Sequence, residues 1–185
     1  MKKLNLTFGC LLLFVFGSSF ALADGAAPGF PAPQFGVEAG FNDANLNGPA
    51  PGDVYASRLG FVGGAFLNLP FGPALAFQPE LLYEQKGGQV NGNPYRLNYM
   101  EVPLLLDVSL VGPLGVILGP AFAANVDNVG VTNPNSTDVG LILGAQLNFS
   151  RFLISGRYEV GLTDVSSNQN IQNGTFTFMA GFSFI

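Results

Sequence analysis

The chain has 185 residues, of which 10% are charged and 48% hydrophobic, with 25 Gly, 18 Phe and neither His nor Trp. So little charge, against roughly 25% in an ordinary soluble domain, cannot build a water-facing surface. The missing imidazole excludes Ser-His-Asp hydrolysis and His-zinc chemistry, and a formal charge of −5 excludes nucleic acid as a partner.

In chain order, Lys2 and Lys3 precede an apolar run from Phe8 to Phe16, and Ala21-Leu22-Ala23 has the small-x-small pattern of a cleavage site. These features predict a secretory signal peptide over residues 1–23, cut between Ala23 and Asp24. The run is too short for a membrane helix, which needs about 20 apolar residues. Cys10 lies ahead of most of that run, where a lipoprotein cysteine would follow it. Removing 23 residues from 185 leaves a mature chain of 162 with no cysteine, 5 basic and 12 acidic residues. An exported chain without disulfides must be held by something else.

Residues 24–33 form a Pro/Ala/Gly-rich linker, and residues 34–185 read as one β domain. Its first segment alternates Phe35, Val37, Ala39 and Phe41 with Gly36, Glu38, Gly40 and Asn42. Its last alternates Phe176, Phe178, Ala180, Phe182 and Phe184 with Thr175, Thr177, Met179, Gly181 and Ser183. Period two of this length means strands with one apolar face. Further strands are expected near 57–68, 74–86, 95–110, 114–125, 137–149 and 152–163, for eight in all. Pro79 and Pro103 each remove a ladder donor, so bulges or weakened pairing are expected there.

Short turns are expected at Leu69–Pro73, Val111–Pro113 and Ser150-Arg151. Longer polar links are expected at Asp43–Ala56, Gly87–Pro94, Val126–Ser136 and Asp164–Asn173. This alternation is that of a transmembrane barrel with tight periplasmic turns and larger outer loops. A lipocalin-like barrel is the competing architecture, but it needs a charged exterior. Here the strand charges share the face opposite the apolar one: Glu38, Arg58, Glu80, Glu84, Lys86, Glu101, Asp107, Arg157 and Glu159. The expected fold is therefore all-β, an eight-stranded antiparallel up-and-down barrel in the outer membrane, with those nine residues in its lumen. Tyr83, Phe122, Tyr158 and the last strand's Phe residues face lipid, and Gly36, Gly40, Gly60, Gly64, Gly119, Gly140, Gly144 and Gly161 make room inside.

Three readings of the lumen charges stand side by side. In a packed polar core, Arg58 and Arg157 bridge carboxylates, because eight strands enclose little more than side chains. The acidic excess suggests a narrow cation-preferring pore. Paired carboxylates could also do acid/base work. Asp127, Asn128, Asn133, Asn135 and Asp138 offer oxygen ligands without EF-hand spacing, so neither metal nor cofactor is expected. The expectation is a non-enzymatic monomer whose partners are outer-membrane lipid and the barrel-assembly machinery. Its surface partner is open, and a narrow channel is the alternative function.

Two segments carry a family resemblance: Phe77-Gln78-Pro79-Glu80-Leu81-Leu82-Tyr83 with Gln85-Lys86-Gly87, and Leu97-Asn98-Tyr99-Met100-Glu101-Val102-Pro103-Leu104-Leu105-Leu106. Gly119-Pro120, Gly156-Arg157-Tyr158 and Gly161-Leu162-Thr163 support them. From Phe35 onward the chain resembles the porin-like, PorT-like outer-membrane β-barrel family of Bacteroidota. The resemblance implies an eight-stranded outer-membrane barrel and no established activity. One departure is the C-terminus, where Phe184 is penultimate and Ile185 last, whereas such barrels often end on an aromatic.

Overall fold

The computed structural model describes residues 32–47, 55–130, 135–163 and 172–184. The signal segment, the cleavage point at Ala23 and Asp24, and all of the linker except Ala32 and Pro33 lie outside the described residues. Eight strands are described: β1 (Gln34–Asn47), β2 (Tyr55–Pro70), β3 (Leu75–Val90), β4 (Asn93–Val111), β5 (Leu114–Val129), β6 (Thr137–Phe149), β7 (Phe152–Gly161) and β8 (Gln172–Ser183). Each pairs antiparallel with its sequence neighbour, and β1 also pairs with β8, so the sheet closes and leaves no edge along its body. Closure satisfies the backbone groups that hydrocarbon could not.

Period two decides which side chains face in. Along β5, Gly115, Ile117, Gly119, Ala121 and Ala123 are buried, while Leu118, Pro120 and Phe122 are exposed. Phe41, Leu59, Phe122, Leu141, Leu143, Tyr158, Phe176 and Phe178 are likewise exposed on the outside. These residues form the lipid-facing surface.

Gln34 lies opposite Asn68 near the β2–β3 turn, and Ser183 lies opposite Gly36. The described chain ends and the three short turns therefore share one rim, the periplasmic one in an outer-membrane barrel. Gly112-Pro113 is one of these turns, with Gly112 at φ 56°, a conformation that Gly adopts freely ahead of Pro.

The opposite rim departs from the expected pattern of links. The stretch 87–94 is not a polar loop. β3 and β4 pair as far as Val90 and Asn93, and Asn91-Gly92 alone makes the turn, with φ 53° and 78°. Positive φ at both central residues is the type I′ hairpin geometry that Asn-Gly favours. β4 thus reaches 19 residues, whereas about 9–11 cross a bilayer, so part of it projects beyond the membrane. The three other long links shorten as well: Asp43–Asn47 belong to β1, Val126–Val129 to β5, and Gln172 and Asn173 to β8.

The prolines weaken pairing without shifting it. Partners lapse between Pro79↔Leu104 and Leu82↔Glu101 with the register unchanged. The register shifts lie elsewhere, between Ser57 and Val62 and beside Asn98 and Ser109.

Candidate functional site

The described side chains inside the barrel form four groups. Nearest the periplasmic rim, Asp107 is surrounded by carboxamides. Its Oδ2 accepts hydrogen bonds from Gln146 at 3.2 Å and from Asn68 and Asn148 at 3.4 Å. Gln78 joins this group to the next, since its amide donates to Glu80 Oε1 at 2.8 Å.

The second group is Glu80, Arg157 and Glu38. Arg157 Nη1 donates to Glu80 Oε2 at 2.7 Å, a charge-assisted contact, and Nη2 reaches Met179 Sδ at 3.5 Å. Glu38 is 4% exposed, and neither of its oxygens has a hydrogen-bond partner.

The third group centres on Lys86, which is fully buried. Its Nζ lies 2.5 Å from Glu101 Oε2, 2.5 Å from Glu159 Oε2 and 3.3 Å from Glu84 Oε2. Glu84 also accepts from Asn42 at 2.7 Å, and the ammonium lies 5.8 Å from the centre of the Tyr99 ring. One oxygen from each of Glu84, Glu101 and Glu159 lies within 4.8 Å of the others, a spacing that suits a metal ion. The ammonium takes that position, bonding the carboxylates as a cation would. Toward the outer rim, Asp138 accepts from Thr163 at 2.5 Å and from Asn173 at 2.8 Å.

Register brings these groups together. Lys86 and Glu159 are 73 residues apart, and Arg157 and Glu80 are 77 apart, joined only because the sheet closes. Missing side chains make the space. A Cβ on Gly140 would run into the Glu159 carboxyl, and one on Gly144 would lie 2.6 Å from Arg157 Cβ.

Two expectations need correcting. Arg58 bridges no carboxylate among the described residues: it is half-buried, and its Nη1 donates at 2.9 Å to the Lys86 carbonyl. It sits at the bulge where β2 carries an extra residue, and there the guanidinium serves a backbone acceptor. The lumen is also not uniformly polar. Leu105, Ile117, Ala121 and Ile142 form one buried apolar cluster, and Val62, Leu82 and Met179 form another. Phe66 is buried too, against Gly36 and Gly181. Leu82 and Ile117 could have been found from the alternation, since they share a phase with Glu84 and Gly119.

A family model for the outer membrane protein beta-barrel domain matches residues 32–167. No functionally curated protein matches the chain in sequence. Neisserial surface protein A superposes with TM-score 0.60 at 16% identity, covering 83% of this chain and 100% of that one. Ail, the attachment invasion locus protein of Yersinia pestis, gives TM-score 0.50 at 14% identity, covering 82% and 98%. OprG from Pseudomonas aeruginosa gives 0.46 at 13%, covering 84% and 98%. At these identities the likeness concerns the fold alone.

Proposed function

The chain belongs to the outer membrane protein beta-barrel domain family, and from that premise we propose that it is a monomeric, non-enzymatic surface-interaction protein with a side-chain-filled lumen. Its place is the outer membrane. It is exported by the signal over residues 1–23, inserted by the barrel-assembly machinery, and belongs to the PorT-like branch of Bacteroidota. The barrel is the anchor, and the projecting ends of β2 to β5 carry the contact surface.

One observation carries the reading. Glu80, Glu101 and Arg157, past which any water path must run, are all buried: Glu80 and Arg157 bond each other across the barrel, and Glu101 bonds Lys86, which also reaches Glu159 on the far wall. The apolar clusters around Ile117 and Leu82 support it further, because water gains nothing from such walls. The attachment protein and the surface protein among the structural neighbours agree with a role at the cell surface.

A narrow cation channel is the second reading, favoured by seven buried lumen acids against Lys86 and Arg157 among the described residues. Conductance of the refolded mature protein in a planar bilayer, under a salt gradient, separates the two. Silence from folded protein is expected. Reproducible steps with a cation-favouring reversal potential would establish the channel and defeat the filled-lumen reading.

A further inference from the structure

We propose that the periplasmic end of the lumen contains a cation-binding site built on Asp107 and the carboxamides of Gln78, Gln146 and Asn148. The site goes beyond the surface role and does not depend on it. In the outer half of the lumen every described acid has a donor: Glu84, Glu101 and Glu159 hold Lys86, and Asp138 holds Thr163 and Asn173. Asp107 differs. It is 4% exposed, and its Oδ1 is buried with no hydrogen-bond partner. None of the four salt bridges found among the described residues includes it.

Its surroundings supply oxygen ligands. Gln78 and Gln146 each point Nε2 at the other's Oε1, at 3.4 and 3.3 Å, and Asn148 Oδ1 accepts from Gln146 at 3.1 Å. These contacts, and the 3.2–3.4 Å donors on Oδ2, are long beside the 2.7–2.9 Å usual for a donor on a charged carboxylate. The Gln146 and Asn148 amides are therefore loosely held, and their carbonyls can turn toward a cation at modest cost, while Gln78 is fixed by its 2.8 Å bond to Glu80 Oε1 and keeps its own Oε1 toward Gln146 and Asn68. A carboxylate with several amide carbonyls is a ligand set for a hard cation, weak because it carries one negative charge. Gly115 keeps the approach to Oδ1 free, since a Cβ there would lie 2.8 Å from that oxygen. Asp107 is also close to the rim, on the strand that ends at the Gly112-Pro113 turn.

A metal ion and a primary ammonium share this chemistry, and the test separates them. The refolded mature chain is heated in detergent with increasing CaCl2, NaCl or methylammonium chloride at fixed ionic strength. Gel mobility reports the folded fraction. The midpoint should rise saturably with at least one of these cations, which stabilise the state they bind. Asp107→Asn should weaken that response about tenfold, and Gly115→Ala should weaken it without changing any charge. Asp127→Asn, at an exposed site on the outer rim, should respond as the parent does. Saturation with CaCl2 or NaCl identifies a metal site, and saturation with methylammonium alone identifies an amine site. Tb3+ luminescence provides a second readout that does not depend on variant stability, with a calcium- or amine-displaceable signal expected from the parent. The proposal is overturned if no cation gives a saturable response, or if Asp107→Asn folds and responds like the parent.

Discussion

Replacing Lys86 with Met keeps the length of the stem and deletes the charge, so the cost isolates the ammonium. Three carboxylates would then lie with oxygens within 4.8 Å of one another and no counter-charge. Removing one member of a buried, bonded charge group costs about 3–5 kcal/mol, because the remaining charge is left uncompensated. Here more than one charge is left, which argues for the upper end. That is a large share of a typical stability of about 5–15 kcal/mol. Urea unfolding in phospholipid vesicles, followed by far-UV circular dichroism because the chain has no Trp, measures the loss. The triple variant Lys86→Met, Glu101→Gln, Glu159→Gln should recover most of it, since neutral isosteres of a buried ion group are often close to neutral in stability. A single variant costing under about 1 kcal/mol, or a triple variant as unstable as the single, would refute the assignment of Lys86 as the cation of this group.

Two other substitutions test the packing on either side of the wall. Gly144→Val should cost about 1–3 kcal/mol by overpacking against Arg157, whereas outward-facing Gly156, with nothing within 4 Å of a built Cβ, should accept Ala without loss in the same urea titration. Leu143 is 62% exposed at mid-strand, so Leu143→Lys should cost about 2–4 kcal/mol in vesicles and far less in detergent micelles; equal costs in the two media would show that it does not face lipid.

Much of the fold was legible because a strand displays its faces every second residue, and nothing longer-ranged is needed to read that period. Phe176, Phe178 and Phe182 outside, with Thr175, Thr177 and Met179 inside, required only the local pattern. The Asn91-Gly92 turn was equally local, a dipeptide that prefers positive φ, but polar composition around it suggested a loop. Interior apolar residues such as Phe66 were hidden by the polar neighbours of the same phase, although glycines at positions 36 and 181 leave the room that the ring occupies.

The candidate site divides along the same line. Sequence alone put Glu80, Glu84 and Lys86 on one face of one strand, because alternation is a property of consecutive residues. It could not say that Lys86 meets Glu159 rather than Glu80, or that Arg157 takes Glu80 and leaves Glu38 without a donor. Those choices depend on closure and stagger, which set β3 across the lumen from β7, and on bulges such as the one that draws Arg58 to the Lys86 carbonyl. Alternation acts within a strand, whereas pairing across a lumen depends on how eight registers combine, and only the closed barrel contains that information.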